Sequence, residues 1–215
     1  MKLIFFKHLF PNITENSWEL LETWVDLLKE WNKKINLISR KDIEALEERH
    51  LMHCLAVTNV LKLKPGAQIL DVGTGGGLPG LPMAICYPEA QFTLIDSIGK
   101  KVNAVANISD SLGLKNVEVL QIRAEAIETK FDFITGRAVK NLPEFINWIK
   151  NNVRSGSDHS LENGLLYWKG GLFENELSTL KAQPSNSFKL GVMLKNSYFS
   201  EKFLLHFCNH ELQKV

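Results

Sequence analysis

A glycine-rich segment at residues 68–80, QILDVGTGGGLPG, limits most strongly how this chain can fold. Residues 69–72 form a short apolar run typical of a buried strand, and the glycines after them permit a tight turn and a close approach to a ligand. Pro79 can occupy the first turn of a helix, where its missing N–H costs nothing. The segment therefore predicts a strand, a glycine loop and a helix, the unit that binds a nucleoside-containing cofactor when an acidic strand end follows.

Two carboxylates accompany this unit. Asp71 lies two residues before Gly73, and Asp96 ends a second predicted strand at 91–96. A carboxylate at Asp71 would repel a pyrophosphate but suits a ligand with a cationic amino acid group. Asp96 is placed to accept hydrogen bonds from both ribose hydroxyls. Because S-adenosyl-L-methionine fits both carboxylates and NAD fits only the second, we predict S-adenosyl-L-methionine as the cofactor, with contacts also from Gly73, Gly75 and Gly77.

Composition and charge exclude several classes of protein. Of 215 residues 45% are hydrophobic and 23% charged, and no apolar run approaches the ~20 residues of a membrane span. Residues 1–10 lack the cleavage site of a signal peptide, so we expect a cytoplasmic protein. A net charge of +1 excludes nucleic-acid binding by bulk charge alone, although a local basic face is sufficient. The three cysteines are widely spaced, which predicts reduced thiols and no metal.

The order of predicted elements indicates an α/β fold with a parallel sheet covered on both faces. An antiparallel hairpin of 188–194 and 202–208 is expected to finish the sheet, and the polar loop 155–164 is expected to be mobile. Strands are predicted at 68–73, 91–96, 117–122, 131–137 and 164–169, with helices at 79–87, 98–112 and 141–153.

The N-terminal part, residues 1–64, is predicted to be a helical cap on a domain of residues 65–215. Apolar residues recur at helical spacing over 14–31, where Thr14 or Asn16 could cap the helix, and over 42–61, where Asp42 could cap it. The tryptophans of the first helix share its apolar period, so they are expected in the core. Basic residues between the helices form either a solvated helix end or a surface that contacts phosphates. These residues are Lys33, Lys34, Arg40 and Lys41.

Cations end the later strands. Arg123 and Glu125 follow the third strand, where Glu125 could bind adenine, while Arg137 and Lys169 end the fourth and fifth. With Lys100 and Lys101 nearby, they would surround the cofactor site with positive charge, which favours an RNA backbone. The Asn/Asp-Pro-Pro-Tyr/Phe motif of enzymes that methylate exocyclic amines and the Pro-Cys nucleophile of pyrimidine C5 enzymes are both missing from the sequence.

From about Trp31 to Gly171 the chain resembles the glucose-inhibited division protein B family, the small-subunit ribosomal RNA guanine-N7 methyltransferases. The resemblance rests on Asn36-Leu37, Arg49-His50-Leu51, the stretch from Asp71 to Gly80, Asp96-Ser97, Lys100-Lys101, Arg123, Glu125, Gly136-Arg137-Ala138 and Lys169-Gly170.

This resemblance implies a Rossmann-like class I methyltransferase whose cofactor contacts include Gly73, Leu78, the pair Ala124-Glu125, and Arg137. It implies methylation of a guanine in the 530 loop of 16S ribosomal RNA. Guanine N7 has a lone pair and no proton, so the reaction needs alignment and no general base. We therefore assign no catalytic residue.

Several residues are expected to act on the RNA. Arg123, Arg137 and Lys169 are candidates for positioning the substrate, and Arg49 and His50 are expected to contact it. His50 is also the one ionisable ring that could instead act as a base. In two places the chain departs from the family, at His53, where Asp is usual, and in the loop 155–163, which is longer and more polar.

Two alternatives remain open from the sequence. A nicotinamide-dependent oxidoreductase is disfavoured by Asp71 and by the lack of a Tyr-x-x-x-Lys pair. A cofactor-sensing RNA-binding module without turnover would carry the same site residues. We expect 16S ribosomal RNA or the small ribosomal subunit as the partner, no membrane and no metal, and a monomeric protein.

Overall fold

A computed structural model describes residues 3–171 and 173–215, and these contain one seven-stranded sheet. The strands are β1 (Gln68–Val72), β2 (Gln91–Asp96), β3 (Val117–Gln121), β4 (Phe133–Arg137), β5 (Gly164–Gly170), β6 (Asn186–Lys189) and β7 (Lys202–Cys208). Their order in the sheet is β3-β2-β1-β4-β5-β7-β6. The first five strands are parallel, β7 runs antiparallel to β5, and β6 runs antiparallel to β7. The predicted α/β class is confirmed, and the ends of the five parallel strands lie within two residues of those predicted.

Helices cover both faces of the sheet. Successive strand residues point to opposite faces, so Ile69 belongs to the core beneath the N-terminal helices and Leu70 to the core beneath the helix Leu142–Ile149. The helices are α1 (Glu15–Lys34), α2 (Met52–Leu55), α3 (Gly80–Cys86), α4 (Gly99–Ser111), α5 (Leu142–Ile149), α6 (Glu174–Ser178), α7 (Leu190–Met193) and α8 (Asn209–Leu212).

The first predicted helix is confirmed as α1. Thr14 is its N-cap, and the Thr14 hydroxyl accepts a hydrogen bond from the Ser17 backbone N–H at 3.2 Å. Trp18 and Trp24 are buried, at 2% and 0% exposure, and Trp31 packs against the same core, so the expected packing role of the tryptophans is confirmed. The first two residues of the predicted 1–64 cap lie outside the described residues, and the domain boundary at 64/65 stays a prediction.

The second predicted helix, 42–61, is wrong as a single helix. It consists of a 3-10 turn at Ile43–Ala45, a π-helical stretch at Leu46–Leu51, α2, and a further 3-10 turn at Ala56–Asn59. Leu46 and Leu51 are both buried five residues apart, a spacing that fits the wider π turn. Asp42 is not a side-chain cap, because its carboxylate accepts the Ser39 hydroxyl at 2.6 Å.

Of the predicted strand 188–194, only residues 188 and 189 are confirmed. Strand β6 ends at Lys189, and residues 190–193 form the short helix α7. Leu190 and Leu194 are buried at helical i, i+4 spacing, while Val192 between them is 76% exposed. The apolar residues therefore follow a helical period that the sequence segment FKLGVML does not distinguish from a strand.

The polar loop 155–163, expected to be mobile, is anchored to the end of the N-terminal region. The Ser160 hydroxyl donates to the Val60 carbonyl at 3.1 Å and accepts from the Lys62 N–H at 2.7 Å. His159 Nδ1 accepts from the Lys64 N–H at 3.1 Å.

In the described part of the chain, no helix is long and apolar enough to cross a membrane.

Candidate active site

The glycine loop after β1 is fixed to the end of β2. Gly73 and Gly75 have φ angles of +65° and +59°, and the Gly75 N–H donates to Asp96 Oδ2 at 3.0 Å. A Cβ at Gly73 would lie 2.9 Å from Val139 Cγ2, so only glycine fits there without a shift of the neighbouring segment. The loop thus presents bare backbone at the carboxyl edge of the sheet, as the glycine pattern predicts.

Asp71 lies in β1 as predicted but does not line the cleft, although it was expected to contact the cofactor. It is fully buried, with Oδ2 accepting from the Thr74 hydroxyl at 2.6 Å and the Gly80 N–H at 3.1 Å, and Oδ1 accepting from the Thr135 hydroxyl at 2.8 Å. Burial raises the pKa of this carboxyl to about 6, although these three donors oppose the shift. Asp71 lines neither cavity described below, so its contribution is to hold the loop in shape.

Gly77 also differs from its predicted role as a ligand contact. Its φ is +83°, and a Cβ there would lie 2.6 Å from Leu81 Cδ1. It lines neither of the two cavities described below, because it packs against the first turn of α3. Gly77 is required for close packing of loop and helix, while Gly73, Gly75 and Leu78 face the cleft.

The cleft at the carboxyl edge has two adjoining cavities of about 510 and 540 Å³, within the size range of ligand sites. They share Gly73, Lys101, Ala138 and Lys140, so the first glycine of the loop stands between them. We call the smaller one, beside the N-terminal region, the first cavity, and the larger one, beside β3, the second cavity.

The second cavity brings together the residues predicted to hold an adenosine. Asp96 lies at the end of β2, and Arg123, Ala124 and Glu125 follow β3. Asp96 is 7% exposed and also accepts from the Ile98 N–H at 2.9 Å, which fixes its carboxylate at the cavity wall. Trp148 of α5 supplies an aromatic wall that the sequence did not single out.

The first cavity contains Arg137 and His50. Arg137 Nη2 lies 3.1 Å from His50 Nδ1, and because a guanidinium only donates, His50 Nδ1 accepts and the ring proton is on Nε2. Burial and the charge of Arg137 lower the pKa of His50 to about 4, so the ring is neutral near pH 7. His50 Nε2 is covered by protein and has no hydrogen-bond partner among residues 3–171 and 173–215. His50 is therefore poorly placed to take a proton from a substrate.

The predicted cations differ in how far acidic groups neutralise them. Arg137 and Lys169 line the first cavity and Arg123 the second, so all three reach the cleft. Lys169 Nζ, however, lies 2.7 Å from both carboxylate oxygens of Glu176, which also accepts the Leu142 N–H. Burial raises the pKa of Glu176, but the hydrogen bonds from Lys169 and the Leu142 N–H outweigh it, so that the pKa is lowered overall.

Lys100 is not in the cleft. It is exposed on the first turn of α4 and lines neither cavity, whereas its neighbour Lys101 lines both. Successive helical residues point about 100° apart, so only one of the two lysines can face the glycine loop. The predicted contact at Lys100 is thus better placed at Lys101.

Comparison with known proteins decides the family. Residues 17–197 match the family model GidB, rRNA small subunit methyltransferase G. The chain belongs to this family. It is 44% identical over 197 residues to ribosomal RNA small subunit methyltransferase G of Flavobacterium johnsoniae, covering 92% of this chain and 93% of the relative. It is 41% identical over 206 residues to the protein of that name from Christiangramia forsetii, covering 96% and 97%.

Solved structures agree on the fold. A SAM-dependent methyltransferase from Aquifex aeolicus aligns with 79% of this chain and 98% of its own, at a TM-score of 0.55 and 20% identity. The fibrillarin/Nop5p complex aligns with 72% of this chain and 79% of its own, at a TM-score of 0.54 and 13% identity. The expected Rossmann-like methyltransferase fold is confirmed, and family membership excludes the oxidoreductase alternative.

A third cavity, which we call the basic groove, lies beside the end of α1. It measures about 1040 Å³ and is lined by Lys33, Lys34 and Arg40 of the predicted basic surface, together with Lys29. Lys41 is exposed but does not line it. Lys29 is paired with Glu47 at 2.6 Å and the acidic Glu44 also lines the groove, so its net positive charge comes from Lys33, Lys34 and Arg40.

Sequence reasoning missed several residues of the cleft. Tyr198 and Lys202 of the C-terminal hairpin line the first cavity, although they lie far along the chain from the glycine loop. Thr74 and Thr135 support Asp71, and Glu176 neutralises Lys169. The antiparallel pairing of β7 with β5 could have indicated Lys202, because this register places it opposite Gly170 at the cleft edge.

Proposed function

We propose that this protein transfers a methyl group from S-adenosyl-L-methionine to N7 of a guanine in the 530 loop of 16S ribosomal RNA. The observation that carries the proposal is the two-part cleft. A cavity with the features of an adenosine site adjoins a cavity lined by cations, and the first glycine of the loop stands between them.

The second cavity fits the nucleoside part of S-adenosyl-L-methionine. Asp96 would accept hydrogen bonds from the ribose hydroxyls, and Ala124 and Glu125 would contact the adenine. Backbone at Gly73 and Gly75 permits the close approach that the rest of the molecule requires, since a Cβ at Gly73 would collide with Val139. When bound, the cofactor supplies a methyl group activated by its positively charged sulfur.

The first cavity fits an acceptor that needs no base. His50 offers no free lone pair to the cleft, because Nδ1 accepts from Arg137 and Nε2 is buried. Guanine N7 has its own lone pair, so the protein has only to align that nitrogen with the methyl group and exclude water. Arg137 and Trp168 line the cavity wall where a base taken out of its stack would lie.

The charge around the cleft favours RNA as the substrate. Lys101 and Arg137 face the first cavity and form no ion pair with another described residue. The basic groove at Lys33, Lys34 and Arg40 extends this positive surface, and each phosphate it neutralises would release counterions and strengthen binding. We also propose that the protein acts as a monomer in the cytoplasm, with residues 1–64 as a cap on the methyltransferase domain.

A methyl-transfer assay tests the proposal. Purified protein and S-adenosyl-L-methionine with a tritiated methyl group are incubated with small ribosomal subunits that lack the modification. We expect label in 16S RNA, and cleavage at one guanine of the 530 loop after borohydride and aniline treatment, which breaks RNA at N7-methylguanine. Cofactor binding without transfer would instead support the non-catalytic RNA-binding module. Tritium label in RNA that borohydride and aniline do not cleave would rule out N7 as the methylated atom.

A further inference from the structure

The mouth of the first cavity carries an aromatic ring with two cations against it. The Arg49 guanidinium carbon lies 5.1 Å, and Lys202 Nζ lies 4.4 Å, from the centroid of the Tyr198 ring. All three residues line the cavity, and Tyr198 is 38% exposed. The negative charge of the ring faces attracts cations within about 6 Å, so Tyr198 holds two like charges near each other at the opening.

These charges are only weakly neutralised. Arg49 Nη1 lies 3.6 Å from Asp42 Oδ1, but both side chains are about 40% exposed, and such a pair is strongly screened by solvent. Lys202 forms no ion pair within the described ranges 3–171 and 173–215. It contrasts with Lys169, whose charge Glu176 neutralises. The cavity mouth therefore keeps positive charge available for an anion.

The three side chains are held in place by separate elements. Asn196 Oδ1 accepts the Tyr198 N–H at 2.9 Å, and Asn196 Nδ2 donates to Glu48 Oε1 at 3.1 Å. The fully buried Phe199 packs edge-on against Tyr198 at 5.0 Å between centroids. Lys202 is fixed opposite Gly170 by the pairing of β7 with β5. The three side chains are therefore preorganised for binding a ligand.

We propose that Arg49, Tyr198 and Lys202 bind the phosphodiester backbone next to the target guanine, with the Tyr198 ring holding the two cations in position. A cavity of about 510 Å³ takes a single nucleotide, so the flanking backbone of a polymer must leave over its rim. The inference rests on the proposed function and assigns the substrate contact of the same site.

The decisive variant is Lys202→Gln, with Lys189→Gln as its charge-matched control. Lys189 is exposed on the neighbouring strand β6 and lines neither cavity. We expect Lys202→Gln to raise the KM for unmethylated small subunits about tenfold and to make the salt dependence of RNA binding less steep by about 0.7–0.9. The kcat, the thermal midpoint and the Kd for S-adenosyl-L-methionine should stay at wild-type values, as all five quantities should in Lys189→Gln.

The role of the ring is tested separately. Tyr198→Phe keeps the aromatic face and should keep the wild-type KM, whereas Tyr198→Leu should raise it. Lys202→Gln should then raise the KM by a smaller factor in the Tyr198→Leu variant than in the wild type, because the two residues act as a unit. Equal loss in Tyr198→Phe and Tyr198→Leu would overturn the role of the ring.

The outcomes separate the two proposals. If the wild-type protein transfers no methyl group to 16S RNA, the proposed function fails. If the wild type methylates and Lys202→Gln matches Lys189→Gln in both KM and salt dependence, the proposed function stands and this phosphate-binding role is refuted.

Discussion

At the scale of single residues, His50 shows how the fold changes the meaning of a side chain. An isolated imidazole titrates near neutral pH and is the usual choice for a general base. Here burial and the neighbouring Arg137 guanidinium lower its pKa from 6.5 to about 4, and Arg137 occupies its acceptor nitrogen. The residue that could have made the reaction pH-dependent is thus held neutral, with a structural hydrogen bond to the cleft arginine.

We predict a chemical step that varies little between pH 6 and 9, because His50 remains neutral over this whole range. The measurement is the single-turnover rate of methyl transfer for the wild type and His50→Gln, with the exposed His210→Gln as the matched control. A steep single-proton dependence that disappears only in His50→Gln would make His50 a base and would exclude the alignment-only reaction.

The lowered pKa of His50 also makes the stability of the fold depend on pH. The unfolded chain binds more protons than the fold between about pH 4 and 6.5, so this residue lowers the free energy of unfolding as the pH falls through that window.

At the scale of secondary-structure elements, the sequence predicted the fold correctly where the apolar residues followed only one spacing, that of a strand or that of a helix. The strand at 68–72, its glycine loop and the acidic end of β2 were predictable because buried apolar runs and glycine spacing have few other solutions. Segment 188–194 was not, because Leu190 and Leu194 satisfy a helical spacing within an otherwise strand-like run. Asp71 was assigned to the ligand because sequence does not show that Thr74 and Thr135 occupy its oxygens.

The loop 155–163 should contribute to stability, although its polar sequence predicted a mobile loop. We predict that Ser160→Ala lowers the free energy of unfolding by about 0.5–1.5 kcal/mol, because it removes the hydroxyl that bonds to Val60 and Lys62. Urea denaturation measures the change. Ser157→Ala is the control, since Ser157 is exposed in the same loop. Equal stability of the two variants would show that the anchor contributes nothing.

The basic groove beside α1 should act as a unit in RNA binding. We predict that the triple variant Lys33→Gln, Lys34→Gln and Arg40→Gln makes the logarithmic salt dependence of RNA binding less steep by about 0.7–0.9 for each phosphate that is no longer neutralised. Filter binding over a range of salt concentrations provides the slope.

A charge-matched triple variant controls for the removal of positive charge. It carries glutamine at Lys115, Lys130 and Lys181, which are exposed and do not line the groove. This control should keep the wild-type slope. If both triple variants show the same slope, residues 33–40 are a solvated helix end and do not contact phosphates.

At the scale of the whole molecule, the topology assembles the cleft from distant parts of the chain. Parallel strands bring Gly73, Asp96, Arg123 and Arg137 to one edge, and this convergence could be predicted from the order of strands alone. The antiparallel β7 then adds Lys202 at the same edge, and the N-terminal region closes the other side with Arg49 and His50. Which cations are neutralised could not be predicted, since the partners Glu176 and Asp42 meet them only in the folded chain.

We propose that this cleft methylates guanine N7 in 16S ribosomal RNA. The most direct measurement is nucleoside mass spectrometry of the 530-loop fragment of 16S RNA, from cells that carry the gene and from cells in which it is deleted. We predict 7-methylguanosine in the first sample, its disappearance in the second, and its return when the gene is restored. An unchanged amount of 7-methylguanosine in the deleted cells would contradict this claim.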